Sequence, residues 1–175
     1  MIKGAVARYL SPDMVDNLIE EPDKLKLGGE KRVMSIMFCD VRGFTAISEA
    51  LKTKPEKLTE VINVLLTHLS KDILDCKGTI DKYMGDCIMA FWNAPLINEN
   101  HPEDAIESAR KMMLTMAEVN KKEKKSGDID FDLKIGIGIG TGECVVGNMG
   151  SNQRFDYTVL GDVVKLSSRL EGQTK

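Results

Sequence analysis

Residues 33–45 read Val-Met-Ser-Ile-Met-Phe-Cys-Asp-Val-Arg-Gly-Phe-Thr. The first seven of these residues are almost continuously apolar, which is typical of a strand that is buried on both faces. The strand is predicted to end at Asp40, and a turn containing Gly43 follows it. The segment therefore predicts a buried strand with a carboxylate and a glycine-containing turn at its end.

The spacing of apolar residues predicts further elements along the chain. Two long segments show helical spacing, whereas shorter apolar runs bounded by turns indicate strands. In residues 131–140, bulky residues alternate with polar residues and glycines, so one face of this strand allows a helix, another backbone or a ligand to approach closely. After the first strand, the predictions are a helix at 58–73, a hairpin of strands at 79–83 and 87–92, a helix at 105–119, a charged turn at 121–125, strands at 131–140, 144–146 and 155–160, and a helix at 161–170.

The order of these elements predicts the fold class. It indicates an α+β fold in which helices cover one face of a mostly antiparallel sheet, built on a ferredoxin-like βαββαβ core. Residues 1–30 are predicted to form an N-terminal helix and junction segment, because Ser11-Pro12 is a typical helix start. Residues 31–175 are predicted to form the main domain.

Composition excludes several classes of protein. Of the 175 residues, 42% are hydrophobic and 29% are charged, which is typical of a globular domain. The formal net charge of -3 predicts no nucleic-acid partner. No apolar run approaches the roughly 20 residues of a membrane span, so membrane contact is not expected from this segment. The four cysteines form no CxxC pair, which indicates reduced thiols in a cytoplasmic compartment rather than a zinc site.

Two carboxylates are candidates for a metal site. Asp40 ends the buried strand and Asp86 lies at the tip of the predicted hairpin, so the two can be neighbours in the sheet. Carboxylates at adjacent strand ends suit a pair of Mg²⁺ or Mn²⁺ ions, because hard cations prefer oxygen ligands. The alternative is that both residues only cap turns, where aspartate is common. The backbone amides that follow Gly43, at the start of a helical region, favour an anion such as phosphate.

Three ordered motifs carry a resemblance to a known family. Phe38–Thr45 resembles the first metal motif of class III adenylate and guanylate cyclases, and Asp81–Asp86 resembles the second. Asp156–Asp162, followed by Ser168–Gly172, resembles the third. The chain is thus similar, over nearly its whole length, to a class III nucleotide cyclase catalytic domain of the bacterial adenylate cyclase type.

The resemblance implies a reaction and an assembly. The expected reaction is attack of the ribose 3′-hydroxyl of ATP on the α-phosphorus, which forms cyclic AMP and releases pyrophosphate with the help of two Mg²⁺ or Mn²⁺ ions. Because the family draws metal residues from one subunit and base-reading residues from the other, a homodimer is implied. The implied roles are metal binding for Asp40 and Asp86, phosphate binding for the backbone at Gly43, Phe44 and Thr45, purine reading for Lys82 and Thr158, and stabilisation of phosphate charge for Arg169.

The purine-reading pair favours adenine. A lysine can donate to adenine N1 and a threonine can accept from the exocyclic amine, so Lys82 with Thr158 resembles the adenine-selecting pair. Guanylate cyclases typically have glutamate at the position of Lys82, which makes a guanylate cyclase the less favoured alternative. The GGDEF-type motif of diguanylate cyclases does not occur in the sequence.

The sequence departs from the family pattern in two places. Lys165 stands where the family usually has an asparagine that positions the ribose, and it shares a helix face with Arg169. Lys165 either contacts phosphate as a catalytic residue or impairs ribose positioning, which leaves open a catalytically silent nucleotide-binding or dimerisation module. The family usually continues beyond the position of Lys175, so the domain is expected to be truncated at its C-terminus. An upstream sensor or membrane domain is expected in a longer parent protein.

Overall fold

Within residues 28–126 and 132–174, the computed structural model contains one five-stranded antiparallel sheet and four α-helices. In that part of the chain, no helix combines the length and the apolar character that crossing a bilayer requires. The predicted helix after Ser11 lies outside the described residues. The strands are β1 (Gly28–Arg42), β2 (Thr79–Met84), β3 (Cys87–Trp92), β4 (Lys134–Gly150) and β5 (Phe155–Leu160), and the helices are α1 (Phe44–Ala50), α2 (Pro55–Asp75), α3 (His101–Ser126) and α4 (Asp162–Gly172).

The central strand is β1, and the strand order is β2-β3-β1-β4-β5. β1 pairs with β3 between Ser35 and Cys39, and it pairs with β4 along its whole length. Residues 34–39 are buried without alternation, as the sequence predicts for a strand covered on both faces. The ladder with β4 continues two residues past Asp40, to Arg42.

Two further predicted boundaries are wrong. β4 is one strand rather than two, because β1 supplies a pairing partner for every residue across the expected break, from Gly140 opposite Ile36 to Cys144 opposite Arg32. The expected charged turn at 121–125 belongs to α3, which continues to Ser126. Lysines are good helix formers, and their charge is favourable near the C-terminal end of a helix.

Helices α2 and α3 pack on one face of the sheet. Side chains alternate along β1, so Met37, Cys39 and Val41 point into this layer. They meet the apolar stripes of the two helices, which confirms the predicted helical periodicities. The buried residues of α2 and α3 in this core are Val61, Leu65, Leu69, Ile73, Ala105, Met112, Met116 and Val119.

Helix α4 lies on the opposite face, which corrects the predicted one-sided arrangement within the α+β class. It crosses the glycine face of β4, where a Cβ atom on Gly138 would lie 2.2 Å from Glu171 N and 2.3 Å from Ser167 O. Because Gly138 has no side chain, the backbone of the helix packs directly on the strand. The close approach predicted from the glycine alternation is therefore made by this helix.

The sheet curls so that its two outer strands meet. In the strand order, β2 and β5 stand at opposite ends. Nevertheless the Phe91 and Tyr157 rings, from β3 and β5, have centroids 6.1 Å apart. The Thr158 hydroxyl on β5 also donates a hydrogen bond to the Asp81 carboxylate on β2. This curl creates contacts between residues that are 77 positions apart in the chain.

The glycine face offers a matched pair of substitutions. We expect Gly138→Ala to lower the free energy of unfolding by about 3 kcal/mol, because the new methyl group would displace the backbone of α4. Gly142→Ala is the control, because the atoms nearest to a Cβ atom there belong to Val163 and lie 3.4 Å away or more. Urea unfolding of both variants measures the difference. Equal losses at the two positions would contradict the proposed packing constraint.

Candidate functional site

Asp40 and Asp86 are brought together at one edge of the sheet. Asp40 lies near the end of β1, and Asp86 lies in the turn between β2 and β3. The antiparallel register pairs Cys39 with Ile88, so Asp40 directly follows this pair on β1 and Asp86 lies two residues before Ile88 on the hairpin. Burial, followed by the hydrogen bond and charge of Asp40, raises the pKa of Asp86 to about 6. The two carboxylates therefore share a partly desolvated position, as the sequence predicts from their placement at strand ends.

A cavity of about 400 Å³ contains these carboxylates. It also contains the turn between β1 and α1, where Gly43 has a φ of 68°. A Cβ atom on Gly43 would meet nothing within 4 Å, so the backbone conformation and not the space favours glycine. The first amides of α1 have no carbonyl partner within the helix, which leaves them available beside the carboxylates. The cavity is lined by Asp40, Val41, Arg42, Gly43, Phe44, Thr45 and Asp86.

The donor chemistry of this cavity is that of hard oxygen ligands. In the described ranges, no group of three or more His, Cys, Asp or Glu side chains is arranged to hold a metal ion. Asp40 and Asp86 therefore supply two carboxylates, and the remaining ligands of a cation must be backbone carbonyls, water or phosphate oxygens. Magnesium in particular keeps several waters and is typically bound through one or two carboxylates together with substrate phosphates.

Lys82 and Thr158 come together at a second place, which does not include the carboxylate cavity. Both contact Asp81, whose side chain is 0% exposed. The Thr158 hydroxyl donates to Asp81 Oδ2, and Lys82 Nζ lies 3.3 Å from Asp81 Oδ1. Burial raises the pKa of Asp81, and the contacts with Thr158 and Lys82 oppose that rise. The predicted pair is thus organised by a carboxylate to which the sequence assigned no role.

The remaining predicted residues, Lys165 and Arg169, lie exposed on α4. Lys165 Nζ lies 3.7 Å from Asp162 Oδ1, one turn earlier in the helix. Neither Lys165 nor Arg169 lines the carboxylate cavity. One chain therefore presents the predicted site residues as three separate groups, on the β1 edge, on the β2–β5 contact and on the surface of α4.

An ion pair between Arg42 and Glu171 joins the first of these groups to α4, and sequence reasoning missed it. Arg42 Nη2 lies 2.7 Å from Glu171 Oε1, and it also donates to the Glu171 carbonyl at 2.7 Å. Only 15% and 12% of the two side chains are exposed. A Cβ atom on Gly136 would lie 1.6 Å from Arg42 Nη2, so the glycine leaves the path of the guanidinium open. The sequence offered one indication of this pair, because Arg42 lies in the first and Glu171 in the third of the motifs that resemble the cyclase family.

Comparison with known proteins identifies the family of the chain. Residues 29–175 match the family model of the adenylate and guanylate cyclase catalytic domain. Adenylate cyclase 1 of Rhizobium meliloti (strain 1021) is 32% identical over 169 residues, which are 97% of this chain and 25% of that protein. The chain thus spans about a quarter of the length of this relative.

Solved structures agree with the predicted fold class. The adenylyl cyclase CyaB from P. aeruginosa is 38% identical with a TM-score of 0.78, over 84% of this chain and 74% of that chain. The guanylyl cyclase Cya2 is also 38% identical, with a TM-score of 0.77, over 84% of this chain and 73% of that chain. The α+β fold is confirmed, and the chain belongs to the family of adenylate and guanylate cyclase catalytic domains.

Proposed function

We propose that this domain converts ATP to 3′,5′-cyclic AMP and pyrophosphate at a site that two copies of the chain complete together. The observation that carries the proposal is the pair of carboxylates, Asp40 and Asp86, in a cavity bordered by the Gly43 turn. Lys82 and Thr158 lie outside that cavity, as a site shared between subunits requires. The guanylyl cyclase Cya2 and the adenylyl cyclase CyaB are each 38% identical to this chain, so sequence identity favours neither purine. We therefore base the choice of purine on the site residues.

The carboxylate pair fits divalent cations. Burial raises the pKa of Asp86 most, the hydrogen bond with Asp40 raises it further, and the charge of Asp40 adds to the rise because neighbouring carboxylates repel when both are ionised. A cation that takes the place of the shared proton would relieve this repulsion, and Mg²⁺ and Mn²⁺ prefer such oxygen ligands. When bound, two such ions would supply charge stabilisation for the attacking and leaving oxygens of phosphoryl transfer.

The protein groups have distinct tasks in this proposal. Backbone amides at Phe44 and Thr45 bind the phosphates beside Asp40 and Asp86. Arg169 approaches the polyphosphate and stabilises its growing negative charge. Lys82 and Thr158 hold the adenine, which fixes the ribose 3′-hydroxyl in line with the α-phosphorus.

The exposed apolar side chains support a two-fold assembly. Tyr83 and Met84, which follow Lys82, are 49% and 45% exposed. Leu166 and Leu170, which flank Arg169 on α4, are 49% and 40% exposed. Apolar residues beside the separate site groups favour an isologous interface, which would cover them and bring the groups of two chains together.

Complementation between two inactive variants tests the shared site. An equimolar mixture of Asp40→Ala and Lys82→Ala chains should recover about a quarter of wild-type Mn²⁺-ATP cyclisation, because half of random dimers are mixed and each mixed dimer keeps one intact site of two. The control mixture of Asp40→Ala and Asp86→Ala should recover nothing, because both defects fall in the same half-site. Activity of the wild type without recovery in the first mixture would contradict the proposal.

The raised pKa of Asp86 predicts a pH-dependent stability of the metal-free domain. The pKa rises from 3.8 to about 6 on folding, so the folded state holds the proton more tightly, and stability is lost as the pH rises from about 4 to above 6. Asp86→Asn should therefore raise the Tm of the metal-free domain at pH 8 and leave it unchanged near pH 3. Thermal unfolding in a chelator measures this effect.

Added Mn²⁺ supplies the complementary measurement. It should raise the Tm of the wild type at pH 8, because an ion that binds only the folded state stabilises it. It should raise the Tm of Asp86→Asn much less. A wild type that Mn²⁺ does not stabilise would contradict the assignment of these carboxylates to metal binding.

A second candidate function, nucleotide binding without turnover, is favoured by Lys165. A lysine cannot accept a hydrogen bond from a ribose hydroxyl, and this lysine lies beside Asp162. If ribose positioning is impaired, Lys165→Asn should raise kcat by about a hundredfold with little change in KM. Steady-state cyclisation of Mn²⁺-ATP by the two proteins measures the change. A lower kcat in the asparagine variant would instead assign Lys165 to the catalytic machinery.

A further inference from the structure

Asp81 is a buried carboxylate placed between the two residues that are proposed to read the purine. Its side chain is 0% exposed, although β2 is an edge strand of the sheet. Asp81 Oδ2 accepts the hydrogen bond of Thr158. Asp81 Oδ1 is buried without a hydrogen bond and faces Lys82 Nζ at 3.3 Å. Burying a carboxylate costs free energy. A neutral side chain could also accept the hydrogen bond of Thr158, so that bond alone does not explain why a carboxylate stands at position 81.

The carboxylate of Asp81 determines that Thr158 is the donor in the hydrogen bond between them. Lys82 and Thr158 alone would leave the direction of the Thr158 hydroxyl open. A threonine hydroxyl has one proton and two lone pairs, so it can donate or accept toward a ligand. An ionised carboxylate can only accept. When Thr158 donates to Asp81, its proton is engaged, and only its lone pairs remain for a ligand.

Lys82 is constrained by the same carboxylate. Its ammonium group has only donors, and its Nζ lies 3.3 Å from Asp81 Oδ1, the second oxygen of the carboxylate that accepts from Thr158. The cluster therefore offers a ligand one acceptor and one donor. Adenine matches this pattern with its exocyclic amine and its N1 lone pair, whereas guanine presents a carbonyl oxygen and an N1–H.

We propose that Asp81 is the positioning residue for purine selectivity, because it orients the Thr158 hydroxyl as an acceptor and holds Lys82 beside it as a donor. This inference rests on the proposed function, because it assigns the preference for ATP to the polarity of one hydrogen bond. Asp81 touches neither the substrate nor the metals in this account. It acts on selectivity through Thr158 and Lys82.

The test compares the binding of 3′-deoxy-ATP and 3′-deoxy-GTP in the presence of Mn²⁺. Neither analogue can cyclise, so the ratio of the two Kd values is independent of turnover. Asp81→Asn keeps the shape of the side chain but adds an amide that can donate to Thr158 and turn its proton toward the ligand. We expect the preference for the adenine analogue to fall by about tenfold or more, since a buried polar group left unpaired costs about 1–3 kcal/mol.

Two controls separate this role from charge and from folding. Asp156→Asn removes an equal charge close to Asp81 and should keep the wild-type ratio of Kd values. If Asp81→Asn does not fold, the comparison of Thr158→Val with Thr158→Ser takes its place, because only serine keeps the hydroxyl. Thr158→Val should lose the preference and Thr158→Ser should keep it.

The outcomes distinguish the two levels of the proposal. A wild type that prefers the adenine analogue, with the preference lost in Asp81→Asn, or in Thr158→Val if Asp81→Asn does not fold, supports the inference. A preference that survives in Asp81→Asn, or in Thr158→Val where it is the variant measured, overturns the inference alone. A wild type that binds neither analogue, or binds both equally, overturns the ATP-specific function and this inference with it.

Discussion

The pairing of β1 with β4 is the constraint on which the rest of the structure depends. The ladder is unbroken from Gly28 opposite Asn148 to Arg42 opposite Lys134. A slip of one residue would turn every side chain of β1 to the other face of the sheet. Met37, Cys39 and Val41 would then leave the core under α2 and α3 and change places with the side chains on the opposite face, and Asp40 would no longer face the turn that carries Asp86. The register therefore determines the core and the carboxylate site together.

The glycines of β4 make that ladder compatible with a helix on its second face. One face of the sheet follows the usual rule, in which apolar stripes of two helices meet alternate strand residues. The other face achieves contact by removing side chains, so that the backbone of α4 approaches that of β4. This close approach brings Glu171 within reach of Arg42 and so connects α4 to the strand that carries Asp40.

Sequence patterns predicted the parts of this fold that depend on local chemistry. The buried strand, the hairpin at Gly85-Asp86 and the two long helices follow from runs and periods within each segment, and adjacent strand ends were sufficient to pair Asp40 with Asp86. The contact between Asp81 and Thr158 was not predictable in this way, since it depends on the curl of the whole sheet. The face occupied by α4 was missed for a similar reason, because a glycine row permits a close neighbour without specifying which element it is.

The buried pair of Arg42 and Glu171 also affects how substitutions in this domain are interpreted. Removal of either partner leaves an uncompensated charge in a mostly enclosed position, at a cost of about 3–5 kcal/mol. Such a loss is a large fraction of the total stability of a typical domain. A screen that scores only product formation would therefore rank both residues with the catalytic groups, although neither has been assigned a contact with the nucleotide. At these two positions, a loss of activity can follow from a loss of folded protein. A measurement of the folded fraction of each variant separates that loss of stability from a defect in catalysis.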